Sequence, residues 1–294
     1  MKVSFYGVRG SIATSGPTTV KYGGNTSCAC IELNSGHSII LDAGTGLRPL
    51  GMQLIQQDKP LHLLLSHSHW DHIQGFPFFT PIYKANQEIR IYSSAENSTN
   101  SPAVLSQMNG VSFPVTQDLL PSILMPIATD QLHASLSELS VSVREKALNH
   151  PGGGSAFRIE EDGISVAYIT DNELDPPGVI TTSYEEWVAF THGVDLLIHD
   201  AQYTESDMPH KHGWGHSLIS QVRRLAIDAE VKNLVMFHHD PERTDTQLDE
   251  IERENAAFFK NTRSPSNSIV AAEGMHLQLS ISKTEPGRHI LEFL

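Results

Sequence analysis

The sequence predicts an α+β fold, two packed β-sheets with helices laid over them. Three observations point there. Short apolar runs of strand length, broken by Gly-rich turns, fill the first half and recur in the second. Two segments in the last third carry clear helical periodicity. Finally, His and Asp residues repeatedly stand where a strand gives way to turn residues, so they converge on one edge of a sheet sandwich. At 294 residues the chain can bury a large core, and residues 1–294 read as a single domain with an insertion at about 93–118.

In chain order, strands are expected at residues 3–6, 28–33, 38–42 and 62–65, each a mostly apolar run bounded by turn residues. Further short strands are expected at 89–92, 139–143, 155–160, 164–170, 195–199 and 233–237. Residues 93–118 are rich in Ser, Asn and Pro and read as a helix-containing insertion rather than a linker. Residues 217–229 form a helix with Ile219, Val222 and Ala226 on one stripe and Ser217 as its N-cap. Residues 246–260 form a second, charged on one side and carrying Leu248, Ile251 and Phe258 on the other. No internal repeat is visible.

Composition narrows the function. The net charge is −14 and the basic residues are scattered, whereas a protein that grips a nucleic-acid backbone needs a dense Lys/Arg face. Large nucleic-acid substrates are therefore disfavoured. Cys28 and Cys30 are the only cysteines; two apart on one strand they share a face, which is poor disulfide geometry. They read as small core residues in a reducing compartment. The N-terminus begins as a strand without the apolar run of a signal peptide, and no segment has the length of a membrane span. A cytoplasmic protein is expected.

The chemistry concentrates in Ser66-His67-Ser68-His69-Trp70-Asp71-His72, directly after the apolar run 61–65. Three imidazoles and a carboxylate at one strand end desolvate and repel each other unless a cation holds them. In this loop His67 and His69 can face one metal while Asp71 and His72 turn to a second. A His-rich surface loop is the competing explanation. Against it stand three further residues in matching contexts: His150 before Pro151-Gly152-Gly153-Gly154, Asp171 after Val166-Ala167-Tyr168-Ile169-Thr170, and His238 after Leu234-Val235-Met236-Phe237. An all-N/O ligand set suits Zn2+, and Mn2+ or Fe also occupy such sites.

With these motifs the chain resembles the metallo-β-lactamase superfamily over nearly its whole length, within it the phosphodiesterase branch of ribonuclease Z and small cyclic-phosphodiester hydrolases. Phe5-Tyr6-Gly7-Val8-Arg9-Gly10-Ser11, leading to Tyr22-Gly23-Gly24-Asn25-Thr26-Ser27, resembles that branch's first strand, Gly-rich loop and second strand. Leu41-Asp42-Ala43-Gly44-Thr45-Gly46 resembles its structural Asp turn. Ile198-His199-Asp200-Ala201 and Gly215-His216-Ser217 are similar to a motif pair in ribonuclease Z and its relatives; the Gly-His-Ser element is absent from β-lactamases and glyoxalases. The resemblance implies a four-layer αββα sandwich holding two Zn2+. It implies His67, His69 and His150 on one ion, Asp71, His72 and His238 on the other, and Asp171 bridging both. A hydroxide shared by the ions would attack phosphorus, Asp71 helping to orient it, and His216 would give a proton to the leaving oxygen. His199 would orient a loop, and His210 and His212 would line the entrance.

Which diester is cleaved rests on what is missing. Between Asp171 and His199 the chain is short and acidic, with Glu173, Asp175, Glu185 and Glu186, where a tRNA-cutting relative is expected to carry a basic, Gly-rich arm. A small diester is the favoured substrate. The pattern also resembles cyclic-nucleotide phosphodiesterases of this fold, including phage-encoded enzymes that destroy cyclic-nucleotide alarm signals, so the leading expectation is cleavage of a cyclic nucleotide to a mononucleotide. Trp70, Phe76, Phe113 and Trp214 are candidates to stack its base, and Ser11 and Thr26 to touch its phosphate. The rivals are a phosphoribosyl cyclic phosphodiesterase, a tRNA 3′ endonuclease, a thioester or lactone hydrolase and a non-catalytic metal sensor. Relatives often pair, so a homodimer is expected, with the 93–118 insertion shaping the partner's pocket.

Overall fold

The computed structural model describes residues 1–93, 102–262, 266–285 and 287–294. Strands β1 (Lys2–Gly7), β2 (Cys28–Glu32), β3 (Ser38–Leu41), β4 (Leu61–Leu64), β5 (Glu88–Ser93) and β6 (Ile123–Ala128) share a sheet with the late strands β13 (His276–Ile281) and β14 (His289–Phe293). Its order is β14-β13-β1-β2-β3-β4-β5-β6. Strands β7 (Ser142–Ala147), β8 (Ser155–Glu161), β9 (Ile164–Ile169), β10 (Leu196–Asp200), β11 (Asn233–Phe237) and β12 (Asn267–Val270) form the second, ordered β12-β11-β10-β9-β8-β7. The helices are α1 (Leu47–Leu54), α2 (Trp70–Ile73), α3 (Ala103–Ser106), α4 (Leu132–Ser137), α5 (Tyr184–Thr191), α6 (Ile219–Asp228) and α7 (Asp245–Thr262).

The period-two alternation of the strands makes the layers. Ile31, Ile39, Leu41 and Leu64 of the first sheet meet Phe157, Val166, Ile198 and Val235 of the second in one core. The alternate residues Cys30, Ile40, Leu61 and Leu63 face the other way, onto α1 and α3. On the far side Ala167, Leu197, Leu234 and Met236 pack against α5, α6 and α7 through Trp187, Val222 and Leu248. Central strands apolar on both faces belong inside such a stack, and each fully buried Leu or Ile contributes roughly 1.5–3 kcal/mol. The four-layer αββα expectation holds. Cys28 and Cys30 are buried and free, as the shared-face argument requires.

Strand direction then decides where the polar ends go. β3, β4 and β5 run parallel, as do β9, β10, β11 and β12. β7 and β9 are each antiparallel to β8 and so point the same way. The C-terminal ends of β7, β9, β10 and β11 therefore lie along one edge of the second sheet.

Several boundaries depart from expectation. The strand placed at 139–143 starts only at Ser142: α4 precedes it, and the amides of Leu139 and Ser140 close turns on Leu136 and Ser137, with Ser140 at φ 62°. Ser217 does not cap α6; Leu218 stands at that position, and the Ser217 hydroxyl donates to Asn172 O instead. β6 escaped notice because Pro126 interrupts its pattern, which an edge strand tolerates. The 93–118 segment is the crossover between the parallel strands β5 and β6, and Val104, Leu105 and Met108 of it are buried in the core under the first sheet. It contains helix α3, as expected; these three residues pack into the layer while residues 109–112 are exposed, and residues 94–101 lie outside the described residues. Among the described residues, no helix is long and apolar enough to cross a membrane.

Candidate metal centre

The edge defined by those strand ends collects every ligand candidate. His67, His69, Asp71 and His72 come from the β4–α2 loop and α2 itself, His150 from the β7–β8 loop, Asp171 from the end of β9 and His238 from the end of β11. They form two groups. His67, His69, His150 and Asp171 bring one ligand atom each within 4.8 Å of one another, and so do Asp71, His72, Asp171 and His238.

Asp171 belongs to both groups and divides its oxygens between them. Oδ2 lies 3.5 Å from His67 Nε2 and 3.6 Å from His150 Nε2. Oδ1 lies 3.1 Å from His72 Nε2 and 3.1 Å from His238 Nε2. The Asp71 carboxylate completes the second group, its Oδ2 at 3.2 Å from His72 Nε2 and 3.3 Å from His238 Nε2. Asp171 (φ 50°) and His238 (φ 58°) occupy the left-handed region without being glycine, a strained backbone that the surroundings must enforce. Gly10 makes room for this, since a Cβ there would stand 2.5 Å from the His238 ring.

The outer faces of four of the rings are anchored. His72 Nδ1 donates to Asp42 Oδ2 (2.9 Å), His238 Nδ1 to Gln202 Oε1 (2.8 Å) and His150 Nδ1 to Gly215 O (2.9 Å). Ser66 Oγ donates to Asp42 Oδ2 and stands 3.1 Å from His67 Nδ1, from which it can accept. Holding Nδ1–H outward fixes the tautomer whose Nε2 lone pair faces inward, as a metal ligand requires. Nε2 of His67 and of His72 is buried and makes no hydrogen bond. These donors fit divalent metal ions: they are convergent, oriented and otherwise unsatisfied.

Charge is divided to match. Burial pushes His67 well below the ordinary imidazole range and His150 down to about 4, so both are neutral at pH 7. Burial would raise Asp171 and Asp71, but the surrounding imidazoles outweigh it and hold both carboxyls below their ordinary range. Around His72 the carboxylates Asp171, Asp71 and Asp42 overcome burial and push the imidazole well up. A metal ion bound there would compete with that proton.

Beside the second group stands a dyad. His216 Nδ1 donates to Asp200 Oδ2 at 2.7 Å, and its ring stacks on His238 with centroids 5.1 Å apart. Burial lowers its basicity, but Asp200, with Asp171 and Asp71 behind it, brings the pKa up to about 9. In the sequence Asp200 carries no mark of this role beyond its place in His199-Asp200-Ala201 at the end of β10. His199 itself is fully buried on β10, its Nδ1 donating to Asp200 O at 2.6 Å.

Other candidates separate. Asp42 is a structural hub: it accepts from Ser66, His72 and, at 2.8 Å, Tyr168. Ser11 N donates to Asp71 Oδ2 (2.8 Å) while its exposed hydroxyl stands 3.5 Å from Gln202 Nε2; the Thr26 hydroxyl is fully buried and accepts from Thr45 N, so it supports the site. Phe76 is fully buried and Phe113 packs on Phe78; Trp70 and Trp214, at 73% and 59% exposed, remain open to a ligand. His210 and His212 are exposed, the latter bonded to Asp175 O.

Known proteins carry the same arrangement of elements. A beta-lactamase superfamily domain model matches residues 37–239. Ribonuclease Z of Bacteroides fragilis is 32% identical over 137 residues, 45% of this chain and 42% of that enzyme. The chain thus spans less than half the length of that curated relative. Ribonuclease Z of Pseudomonas putida is 23% identical over 84% of this chain and 91% of its own. Among solved structures, the metallo-β-lactamase fold protein YhfI of Bacillus subtilis superposes with a TM-score of 0.68 at 19% identity, covering 94% of this chain and 98% of its own. The short form of human tRNase Z gives 0.60 at 19% (96% and 100%), and unliganded yeast PDE1 gives 0.61 at 15% (94% and 98%). The resemblance to the superfamily, and within it to the ribonuclease Z and phosphodiesterase side, is borne out.

Proposed function

Because the chain is a member of the beta-lactamase superfamily, we propose that it is a metal-dependent phosphodiester hydrolase whose leading substrate is a cyclic nucleotide, opened to a nucleoside monophosphate. The observation that carries this reading is the division of Asp171, one oxygen to each of two imidazole groups. His67, His69 and His150 would hold one ion, Asp71, His72 and His238 the other, with Asp171 between them. Two bound Zn2+, or Mn2+ or Fe in their place, supply Lewis acidity towards water and the phosphate oxygens. The chain's own residues do the rest. Asp71, fixed by the Ser11 amide, orients the attacking group, and His216, kept protonated by Asp200, gives the expelled alkoxide its proton.

A small substrate is supported by the charge of −14, the acidic Asp171–His199 connection and two exposed tryptophans beside site residues. Trp70 lies between His69 and Asp71; Trp214 lies two residues before His216. A phosphoribosyl cyclic phosphodiesterase would use the same centre without needing the tryptophans. A tRNA 3′ endonuclease is the second reading, favoured by the names of the curated relatives. Residues 1–294 as one domain, a cytoplasmic location and a homodimer belong to the same proposal. Val111, Leu119 and Ile123, exposed on the β5–β6 connection and edge strand, offer the dimer its surface.

Turnover on 3′,5′- and 2′,3′-cyclic mononucleotides, a pre-tRNA and bis(p-nitrophenyl) phosphate tests the reading, beside metal analysis. Cleavage of a cyclic nucleotide with the tRNA left intact is expected. Cleavage of the tRNA alone would transfer the assignment to the second reading, and two bound metals without any cleavage would leave a thioester or lactone hydrolase or a sensor.

A further inference from the structure

The loops that bring His150, Asp171 and His216 together are tied to one another through the residues next to them. Asn149 donates its amide to Asn172 Oδ1 (3.0 Å) and its Nδ2 to Glu173 O (3.2 Å). Ser217 donates its hydroxyl to Asn172 O (2.6 Å) and accepts from the Leu174 amide (3.2 Å). A further tie is a carboxylate. Glu173, which sequence alone groups with the acids of a short acidic connection, is 3% exposed. Its Oε1 accepts from Gly213 N (2.8 Å) and its Oε2 from Gly215 N (2.9 Å). Gly215 in turn offers its carbonyl to His150 Nδ1 and leads directly into His216. This loop is irregular, with Gly213 at φ 87° and Gly215 at φ 85°, so its amides find no ladder partner and the side chain supplies their acceptors.

We propose that Glu173 is a positioning residue for diester cleavage: through the amides of Gly213 and Gly215 it fixes the loop that sets His216 against the leaving oxygen. This rests on the proton-donor role proposed for His216. The chemistry of a buried carboxylate makes it specific. Two equivalent oxygens accept two amides at once, whereas a glutamine of the same shape has one oxygen and turns an NH2 towards the other N–H. One loop amide then loses its acceptor, and the loop loosens at the residue that precedes His216. His72 and His238 keep their own anchors, and Asn149 still holds the base of the His150 loop, whose ring leans on Gly215 O.

The experiment compares wild type, E173Q and H216A, each metal-loaded, on a 3′,5′-cyclic nucleotide and on a diester leaving as 4-nitrophenolate. The alkoxide of the first needs a proton; the phenolate of the second does not. For E173Q we expect kcat on the cyclic nucleotide to fall about 10- to 100-fold, at or below the roughly 10²- to 10⁴-fold that a wholly lost proton donor accounts for, and the nitrophenyl rate to stay within about 3-fold. With metal in excess, metal content should remain that of wild type, and amide hydrogen exchange over residues 212–217 should quicken about tenfold. H216A should repeat the kinetic pattern with exchange as in wild type. Equal loss on both diesters, loss of metal, or unchanged exchange overturns the inference. Glu173→Asp, whose shorter arm cannot span both amides, gives the same readings should E173Q fail to fold. A wild type that cleaves neither diester removes the role of His216 and this inference with it; a wild type that cleaves while E173Q behaves identically removes this inference alone.

Discussion

Asp71, His72 and His238 are buried and anchored from behind by Ser11, Asp42 and Gln202, whereas the group of His67, His69 and His150 opens to solvent through His69. Its anchors are also different in kind. His150 leans on a backbone carbonyl in the 213–217 loop, and His69 meets His150 ring to ring, Nδ1 to Nε2 at 2.9 Å. One cluster is set by the sheet ends and their packing; the other is completed by loops. A centre built this way would hold one ion in rigid surroundings and leave the other open to whatever approaches.

Removing the shared residue should have the largest effect. Asp171→Ala takes a ligand from both clusters at once, and we expect loss of both metals and a fall in activity of more than about 10³-fold, since the parts of such a centre act as a unit. Elemental analysis of the purified variant, with turnover, decides it. One metal retained with substantial activity would mean that the clusters are independent.

Next comes the difference between the clusters. Titrating wild type with a chelator should release metal in two steps, the weaker from the cluster that includes His69. His69→Ala should abolish the first step and leave the second. Gln202→Ala removes the anchor of His238 and should weaken the buried ion by about 10- to 100-fold, merging the two steps. A single step in wild type would remove the asymmetry argued from burial. Smaller again is the contribution of the rim: Trp214→Ala should raise KM for a cyclic nucleotide about tenfold, the scale of one lost base stack, and leave KM for a baseless sugar diester within about twofold. An equal rise on both would place Trp214 in loop structure instead.

The sequence makes the clusters legible to unequal degrees, for the same physical reason. The run from His67 to His72 is local, and strand-end positions mark His150, Asp171 and His238 because turn residues follow them. What holds these rings is not local. Asp200 meets His216 across 16 residues, Gln202 meets His238 across 36, and Glu173 reaches Gly213 and Gly215 across 40 and 42. An acid in a polar stretch looks like a surface acid until the fold surrounds it, as Glu173 shows. The late strands β12, β13 and β14 are not legible in the sequence because four- to six-residue runs with polar alternation carry little signal without their neighbours. β7 was misplaced for a related reason, its start being fixed by the turn after α4.

A histidine outside the clusters supplies the last and smallest contrast. His62 lies on β4, a few residues before His67, and is 1% exposed, stacked on Tyr92 with Nδ1 3.0 Å from the phenol oxygen. Burial, then the positive charges of Arg90 and His37, push its pKa down from 6.5 to about 4. Between those values the unfolded chain binds a proton that the folded chain refuses, so the stability that neutral His62 contributes is present above pH 6.5 and drains away as pH falls towards 4. For one such group the loss between pH 7 and pH 5 is about 2 kcal/mol. His62→Gln cannot take up that proton, and it retains a partner for Tyr92. Urea unfolding of wild type and variant at the two pH values cancels the metal contribution common to both. The wild type should lose about 2 kcal/mol more than the variant on acidification, and equal losses would mean that His62 already carries its proton in the fold.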